Sequence, residues 1–299
     1  MLFRSGNYPF GDLCGAGVAY KLAWRLCTLW CGSQRVSKEL QELLLDLLGP
    51  CALGVIADIV PLVGENRIIA FHGLGRVRHS RISGLRELVK ASSLEDKKVS
   101  ETDVGFKLAP RLNACGRLGH AKDAVELFTT AAGERALELA KGLGGVNDRR
   151  KQIEKQIFEE AAAMAEAKGM TSPDRRAIVL ASPDWHQGVV GIVCSRLTEK
   201  YHRPAILMSE RDGHLHGSGR SIDGFDLHAA IMSCNHLLTK AGGHMMAAGV
   251  GLDAANLDAF TEAFTQACNQ GISVERLVAR RHYDCEAAIT DLTLASMAD

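Results

Sequence analysis

Apolar positions recur at helical spacing through GAGVAYKLAWRLCTLW (residues 15–30). They recur again through VSKELQELLLDLLGP (36–50), where Ser37 suits an N-cap and Gly49-Pro50 a stop. ENRIIAFHGLGRVRHS and GLRELVKAS predict two shorter helices. Ser100 and Asp103 form a capping-box pattern at the head of a helix running towards Leu108. From about Glu134 to Lys168 the chain is rich in Ala, Glu, Lys and Leu, with a break expected near Gly142 to Gly145. There NDRRKQIEKQIFEEAAAMAEAKG predicts one long helix ending near Gly169. Then the period shortens. RAIVLAS and RPAILMSE are β-branched runs separated by the helix-like GVVGIVCSRLTEKY, a β-α-β signal. HLHGSGRS, MMAAGVGL and RHYDCEAAI predict further strands, and LDAFTEAFTQACNQ a further helix. The chain therefore reads as α/β, helical first and mixed afterwards.

At 299 residues and 46% hydrophobic composition, two domains of ordinary size can each bury a core. Lys plus Arg (35) balance Asp plus Glu (35), so a polyanion site would have to be local rather than a property of net charge. The nine cysteines are odd in number, scattered and without a C-x-x-C pair, which suits packed free thiols in a reducing compartment. Cys27 and Cys31, four apart, read as core rather than as metal ligands. The opening MLFRSGNYPF has no apolar region of a secretory signal, and no segment is expected to reach the ~18 apolar residues of a membrane span. The expected setting is cytoplasmic, with no membrane partner.

Five places could carry chemistry. In ALGVIADIVPL (52–62), Asp58 stands in an otherwise apolar stretch, where a carboxylate either meets a cation or borders a helix end and points to water. In ASPDWHQGVVGIV, Trp185 and His186 lie at a strand-to-helix corner that suits anions; the alternative makes them a packing residue and a cap. In HGSGRS, Ser218, Arg220 and Ser221 supply hydroxyls and a guanidinium fork matched to phosphate, unless this is a solvent turn. His214 and His216 alternate on one strand face, without a third ligand that would make a metal site. In AGGHMMAAG, Gly242 and Gly243 imply close approach beside His244. Finally, PRLNACGRLGH reads as a loop between helices, in which Arg111 and Arg117 flank Asn113 and could converge on a backbone phosphate.

The order ADIVPL, PRLNACGRLGHAKDAVELF, DWHQGVVGIVCSRLTEKYHRPAILM, GSGRS, AGGHMMAAG resembles the RecJ-like single-strand-specific DNA exonucleases of the DHH phosphoesterase superfamily. The resemblance implies the helical C-terminal part of a DHH domain over 1–132, a connecting helix over 133–170 and a DHH-associated substrate-binding domain over 171–270. Residues 271–299 would be a strand and the start of a truncated following region. It further implies 5′-3′ hydrolysis of single-stranded DNA in repair and recombination, with Mn2+ or Mg2+, and possible repair-protein partners. Asp58 matches a catalytic metal-binding aspartate, and His244 with Gly242 and Gly243 a motif near the scissile phosphate. Ser218, Arg220 and Ser221 match phosphate binders, and Arg111, Asn113 and Arg117 a motif beside the DNA path. Trp185 and His186 match a block without an assigned role.

The pattern departs at both ends. The family carries an Asp-x-Asp-x-Asp-Gly motif, a further aspartate and an Asp-His-His triplet ahead of the segment matching GDLCGAGVAYKL. Here thirteen residues precede Cys14, and among them Asp12 stands alone. At SMAD the chain stops about where the family's OB fold begins. The expectation is an internal piece with an incomplete metal site, inactive alone. Alternatives are a non-catalytic nucleic-acid-binding module and a related phosphodiesterase for short oligonucleotides or cyclic dinucleotides.

Overall fold

The computed structural model describes residues 8–279, 283, 285–291 and 293. Most of the opening MLFRSGNYPF therefore lies outside the described residues. The chain divides into two compact units, Met1–Ile153 and Glu154–Asp299.

The first unit is helical: α1 (Gly15–Trp30), α2 (Lys38–Ala57), α3 (Gly64–Val77), α4 (Ser83–Ala91), α5 (Glu101–Asp103), α6 (Ala109–Leu118), α7 (Lys122–Thr129) and the start of α8 (Gly133–Ala167). Ser37 caps α2 as expected, its hydroxyl accepting from the Leu40 N–H at 3.3 Å. The predicted stop at Gly49-Pro50 is wrong, because α2 continues through Pro50 to Ala57. An interior proline costs about 3 kcal/mol. Beyond it Leu53 and Val55 are buried, and at about 1.5–3 kcal/mol each that burial offsets the cost. So extended, α2 is long and apolar enough by length and composition to cross a membrane, contrary to expectation. Here its Leu48, Cys51, Ala52 and Val55 form a core with Cys14 and Ile69. α1 meets α2 where Gly54 lies against Ala16, so closely that a Cβ at 54 would collide with the Ala16 methyl. α1 buries only Gly17 and Thr28, and Leu22, Leu26, Leu29 and Trp30 are exposed on it.

The capping box at Ser100 and Asp103 is formed. Asp103 also binds Lys107 at 2.9 Å and Lys97 at 3.0 Å. These two ammonium groups, aided by the Ser100 bonds, hold its carboxyl well below the usual carboxylate range. A π-turn over Val104–Leu108 follows, in which the Ala109 N–H reaches the Val104 carbonyl. It leads straight into α6, so PRLNACGRL is helix rather than loop, with Pro110 accommodated in the first turn. The expected break at Gly142 to Gly145 is also absent. α8 runs on because Leu139, Ala140 and Leu143 are buried in the unit's larger core, which outweighs about 1 kcal/mol for each helical glycine.

The second unit contains the rest of α8 and a five-stranded sheet. Its elements are β1 (Ile178–Ser182), α9 (Gln187–Tyr201), β2 (Ala205–Arg211), β3 (His214–Arg220), α10 (Leu227–Ser233), β4 (Lys240–His244), β5 (Ala247–Asp253) and α11 (Leu257–Gly271). The strand order is β1-β2-β3-β5-β4, with β1 and β2 parallel across α9 and the other pairs antiparallel. One sheet face packs Ile206, Met208, Leu215, Val250 and Leu252 against Phe225, Leu227, Phe260 and Phe264. The sequence pattern does not predict β4 as a strand, since paired glycines depress strand propensity. MMAAGVGL loses its first two residues to the hairpin turn at Met245-Met246. Of the strand expected over RHYDCEAAI, residues 281, 282 and 284 lie outside the described residues, and residues 283 and 285–288 form no strand. Tyr283 and Ile289 are exposed, so no apolar face anchors one there.

Arg203 joins α9 to the segment before β1. Although only 6% exposed, its guanidinium donates to the carbonyls of Met170, Ser172, Arg175 and Tyr201. Replacing it by methionine orphans those acceptors and is expected to lower unfolding stability by about 2–4 kcal/mol, measurable by urea denaturation. A second expectation concerns acid. Because the folded-state value of Asp103 is depressed, its contribution is complete above the ordinary carboxylate value of about 4 and fades as pH falls towards the lower folded value. Wild type and Asp103→Asn should therefore differ in urea midpoint at neutral pH and converge on acidification.

Candidate functional site

In the second unit, α9 settles on the sheet face opposite the apolar core. Its Gly191 lies against β3, where a Cβ would stand 3.2 Å from Ser218 Oγ and 3.4 Å from an Arg220 guanidinium nitrogen. The Cys194 thiol donates to the Ala205 carbonyl at 2.8 Å, and burial pushes that thiol up to about 12, so it stays neutral. α9 packs over β2 and β3. The far part of the same face, on β5 and β4, is open: Gly249, Gly242 and His244 are exposed.

Register fixes what shares this face, since directly paired residues point the same way. Arg220 pairs with Ala247, and Ala247 with His244. Ser218 pairs with Gly249, and Gly249 with Gly242. The result is a flat floor of glycine and alanine bounded by a guanidinium, a hydroxyl and an imidazole. His244 Nδ1 accepts from the Met246 N–H at 3.3 Å, so the neutral ring carries its proton on Nε2 and presents a donor. Gly243 has φ 149°, and any Cβ there would run into the Ala247 carbonyl, so the approach of β4 to β5 requires glycine. Ser221 has a different task from its neighbours. Its buried hydroxyl donates to the Phe225 carbonyl at 2.8 Å and its N–H to the Met246 carbonyl at 3.0 Å, which ties down the hairpin tip carrying His244. Ser221 is thus a positioning residue rather than a group offered to a ligand.

At the β1–α9 corner the alternative reading of Trp185 and His186 is what the structure has. Trp185 is 2% exposed, and His186 caps α9, its Nδ1 accepting from the Gly188 N–H at 3.1 Å. His214 is paired with Asp253 at 2.8 Å.

In the first unit, Asp58 is the C-cap of α2 and is exposed. It lines a hollow of about 330 Å3 with Cys14, Gly15 and Ala16 at the head of α1, Gly54 and Ala57 of α2, and Asn113 of α6. The N-cap Cys14 makes no side-chain cap, so the positive end of α1 opens on the same hollow as the carboxylate. The next residue, Ile59, is 90% exposed with φ 53°, a left-handed conformation that costs a β-branched residue about 1–2 kcal/mol. Such strain persists only where the surroundings impose it. Part of that constraint is Asn66, fully buried, whose amide donates to the carbonyls of Asp12 (2.9 Å) and Pro61 (3.0 Å). Sequence reasoning misses Asn66 and Ile59, neither of which differs in type from ordinary helix-start or apolar positions. Arg111 and Arg117 do not converge as a loop would allow. Asn113 and Arg117, four apart on α6, share a side, while Arg111 turns to the Lys107 carbonyl at 2.6 Å. Among the described residues no group of three or more His, Cys, Asp or Glu is placed to hold a metal.

Residues 174–270 match the DHHA1 domain family. The single-stranded-DNA-specific exonuclease RecJ of Bacillus subtilis is 39% identical over 295 residues, covering 98% of this chain and 36% of that protein. RecJ of Thermus thermophilus, solved in complex with Mn2+, superposes with a TM-score of 0.77 at 32% identity, covering 89% of this chain and 38% of the other. Another solved structure, exonuclease RecJ bound to manganese, gives 0.76 at 32% identity, covering 92% and 66%. The chain spans about a third to a half of the length of the curated relatives it matches. By fold, by the succession of its motifs and by these relatives, the chain is RecJ-like, of the DHH phosphoesterase superfamily, with a DHHA1 domain at residues 174–270.

Proposed function

We propose that this chain supplies the phosphate-gripping part of a RecJ-type nuclease, an enzyme that hydrolyses single-stranded DNA from the 5′ end with Mn2+ or Mg2+ in DNA repair and recombination, in a cytoplasmic setting. The observation that carries this reading is the open half-face of the sheet. Arg220 and Ser218 on β3 and the Nε2–H of His244 on β4 surround a floor of small residues on which a strand's backbone can lie. Donors of this kind fix a phosphodiester by charge-assisted hydrogen bonds, with the guanidinium strongest. Gly242 keeps the floor low, Gly243 lets β4 lie close against Ala247 and Ala248 of β5, and Ser221 holds the tip that carries His244.

The metal is a different matter. A two-metal phosphodiesterase needs several carboxylates or imidazoles around its ions. Asp58 offers one carboxylate, with the Asn113 amide in the same hollow, and the described residues add no third ligand of the usual types. This donor set does not hold a metal pair, so no chemical step is assigned to the chain through one. Asp58 is read as one ligand of a larger set. Asn113 and Arg117, on one side of α6, are read as strand contacts near it; Arg111 is turned inward.

The purified 299-residue chain is accordingly expected to bind single-stranded DNA without cutting it. With 5′-labelled DNA and Mn2+, nucleotide release should not exceed background; robust release that Asp58→Ala abolishes would refute the incomplete donor set. In a fluorescence anisotropy titration with a labelled oligothymidylate, Arg220→Ala should weaken binding about tenfold, and added salt should weaken both proteins. Unchanged affinity in Arg220→Ala would remove the sheet face as the binding site.

A further inference from the structure

The open face does not end at Ser218. One step further along the same register His216 pairs with Gly251, and Gly251 with Lys240. These side chains share the face of Ser218, Arg220 and His244, because even numbers of residues separate them along their strands. Gly251 forms the floor between them: a Cβ there would stand 3.4 Å from His216 Nδ1 and 3.4 Å from the Lys240 Cβ. His216 and Lys240 are both exposed. The face therefore carries three successive rows with a donor at the edge of each: Arg220 and His244, then Ser218, then His216 and Lys240. Rows are roughly 6.6 Å apart, two strand residues, comparable to the six-bond repeat of an extended sugar–phosphate backbone. The next row ends the series, since there His214 is bound to the Asp253 carboxylate at 2.8 Å, an acid that would repel a further phosphate.

We propose that His216 and Lys240 form a third phosphate subsite, so that this sheet holds three consecutive phosphates of a single strand running along β3 and β4. The subsite takes a backbone phosphate from a strand too long to be served by the first two rows, and it reads charge rather than base. It rests on the functional reading above, which places the first phosphate at Arg220 and His244. The α9 helix fits this extension: Gly191 lies over the Ser218 and Arg220 rows, so the N-terminal turn of α9 lies further along, towards the His216 end.

Two probes separate the subsite from the reading beneath it: a labelled oligothymidylate of about a dozen nucleotides and a labelled thymidine dinucleotide with a 5′-phosphate, whose two phosphates occupy only the first two rows. In anisotropy titrations the double variant His216→Ala/Lys240→Ala is expected to bind the long strand about tenfold more weakly, with a salt slope smaller by about one, and to bind the dinucleotide like the parent. Arg220→Ala should weaken both. Long-strand affinity and salt slope unchanged in the double variant, with Arg220→Ala still impaired, would overturn the third subsite and leave the functional reading standing. Equal weakening of both probes by the double variant would also overturn it, since the two residues would then not be confined to a third phosphate. If the parent binds neither probe, both readings fall. Thermal unfolding of the double variant at the parent's midpoint checks that the exposed substitutions leave the fold intact.

Discussion

The seat of α9 on the sheet decides where this protein can be polar. A helix that connects two parallel strands must cross one face of the sheet, and α9, fifteen residues long, packs over β2 and β3. Gly191 lets it settle against Ser218 and Arg220, and the neutral thiol of Cys194 fills the space above Ala205. Among the described residues, no helix of the second unit covers β5 and β4 on that side. An uncovered half-face must tolerate water, which is why its rows read His, Gly, Ser, Arg and Lys while the opposite face reads Leu, Val, Ile and Met.

The polar rows are held in place by the apolar ones. Leu215, Val250 and Leu252 point into the core with Phe260 and Phe264, and a slip of one residue in β3 or β5 would bring them into water and drive His216 and Ser218 into the core. The alignment of Arg220 with His244 is therefore enforced from the other side of the sheet, without any direct bond between the two. At the edge, β4 carries Lys240 and two glycines, a composition that resists pairing with a further strand. The same lysine that protects the edge supplies a charge to the face.

How much of this can be read from the chain depends on whether the deciding interaction is local. The bounds of α1, the capping box at Ser100 and the β-α-β unit around α9 are governed by neighbours in sequence, and they read true. By local propensity Pro50 and Gly142 to Gly145 read as stops; burial of Leu53, Val55, Leu139 and Leu143 by distant residues overrides it. PRLNACGRL reads as a loop for the same reason, its proline being admitted by a widened turn that no propensity scale contains. The candidate residues Ser218, Arg220 and His244 are legible as types, but the rows that join them exist only in the strand register. On sequence alone His216 looks like half of a poor metal site, and its partner Lys240 emerges across Gly251 only once the strands are paired.

The two kinds of chemistry expected of a nuclease are unequally represented in the chain. Arg220, Ser218 and His244 lie within the matched DHHA1 domain, on strands whose register the core enforces, so their geometry is set before any ligand arrives. Contacts to phosphate oxygens hold a strand in the ground state and the transition state alike, and such uniform binding by itself leaves the chemical step no faster. Acceleration would have to come from groups that meet charge as it develops or from cations that do so, and on the proposed reading Asp58, beside the strained Ile59, contributes one carboxylate towards holding such a cation. Left-handed backbone at a β-branched, solvent-exposed residue gains nothing from burial, so its free-energy cost must be offset by what the turn fixes. What it fixes is the end of α2, and with it the direction in which Asp58 leaves the helix. On the proposed reading such a chain would grip a strand without cutting it, because the phosphate rows and the lone carboxylate are held by different elements, each with its own core.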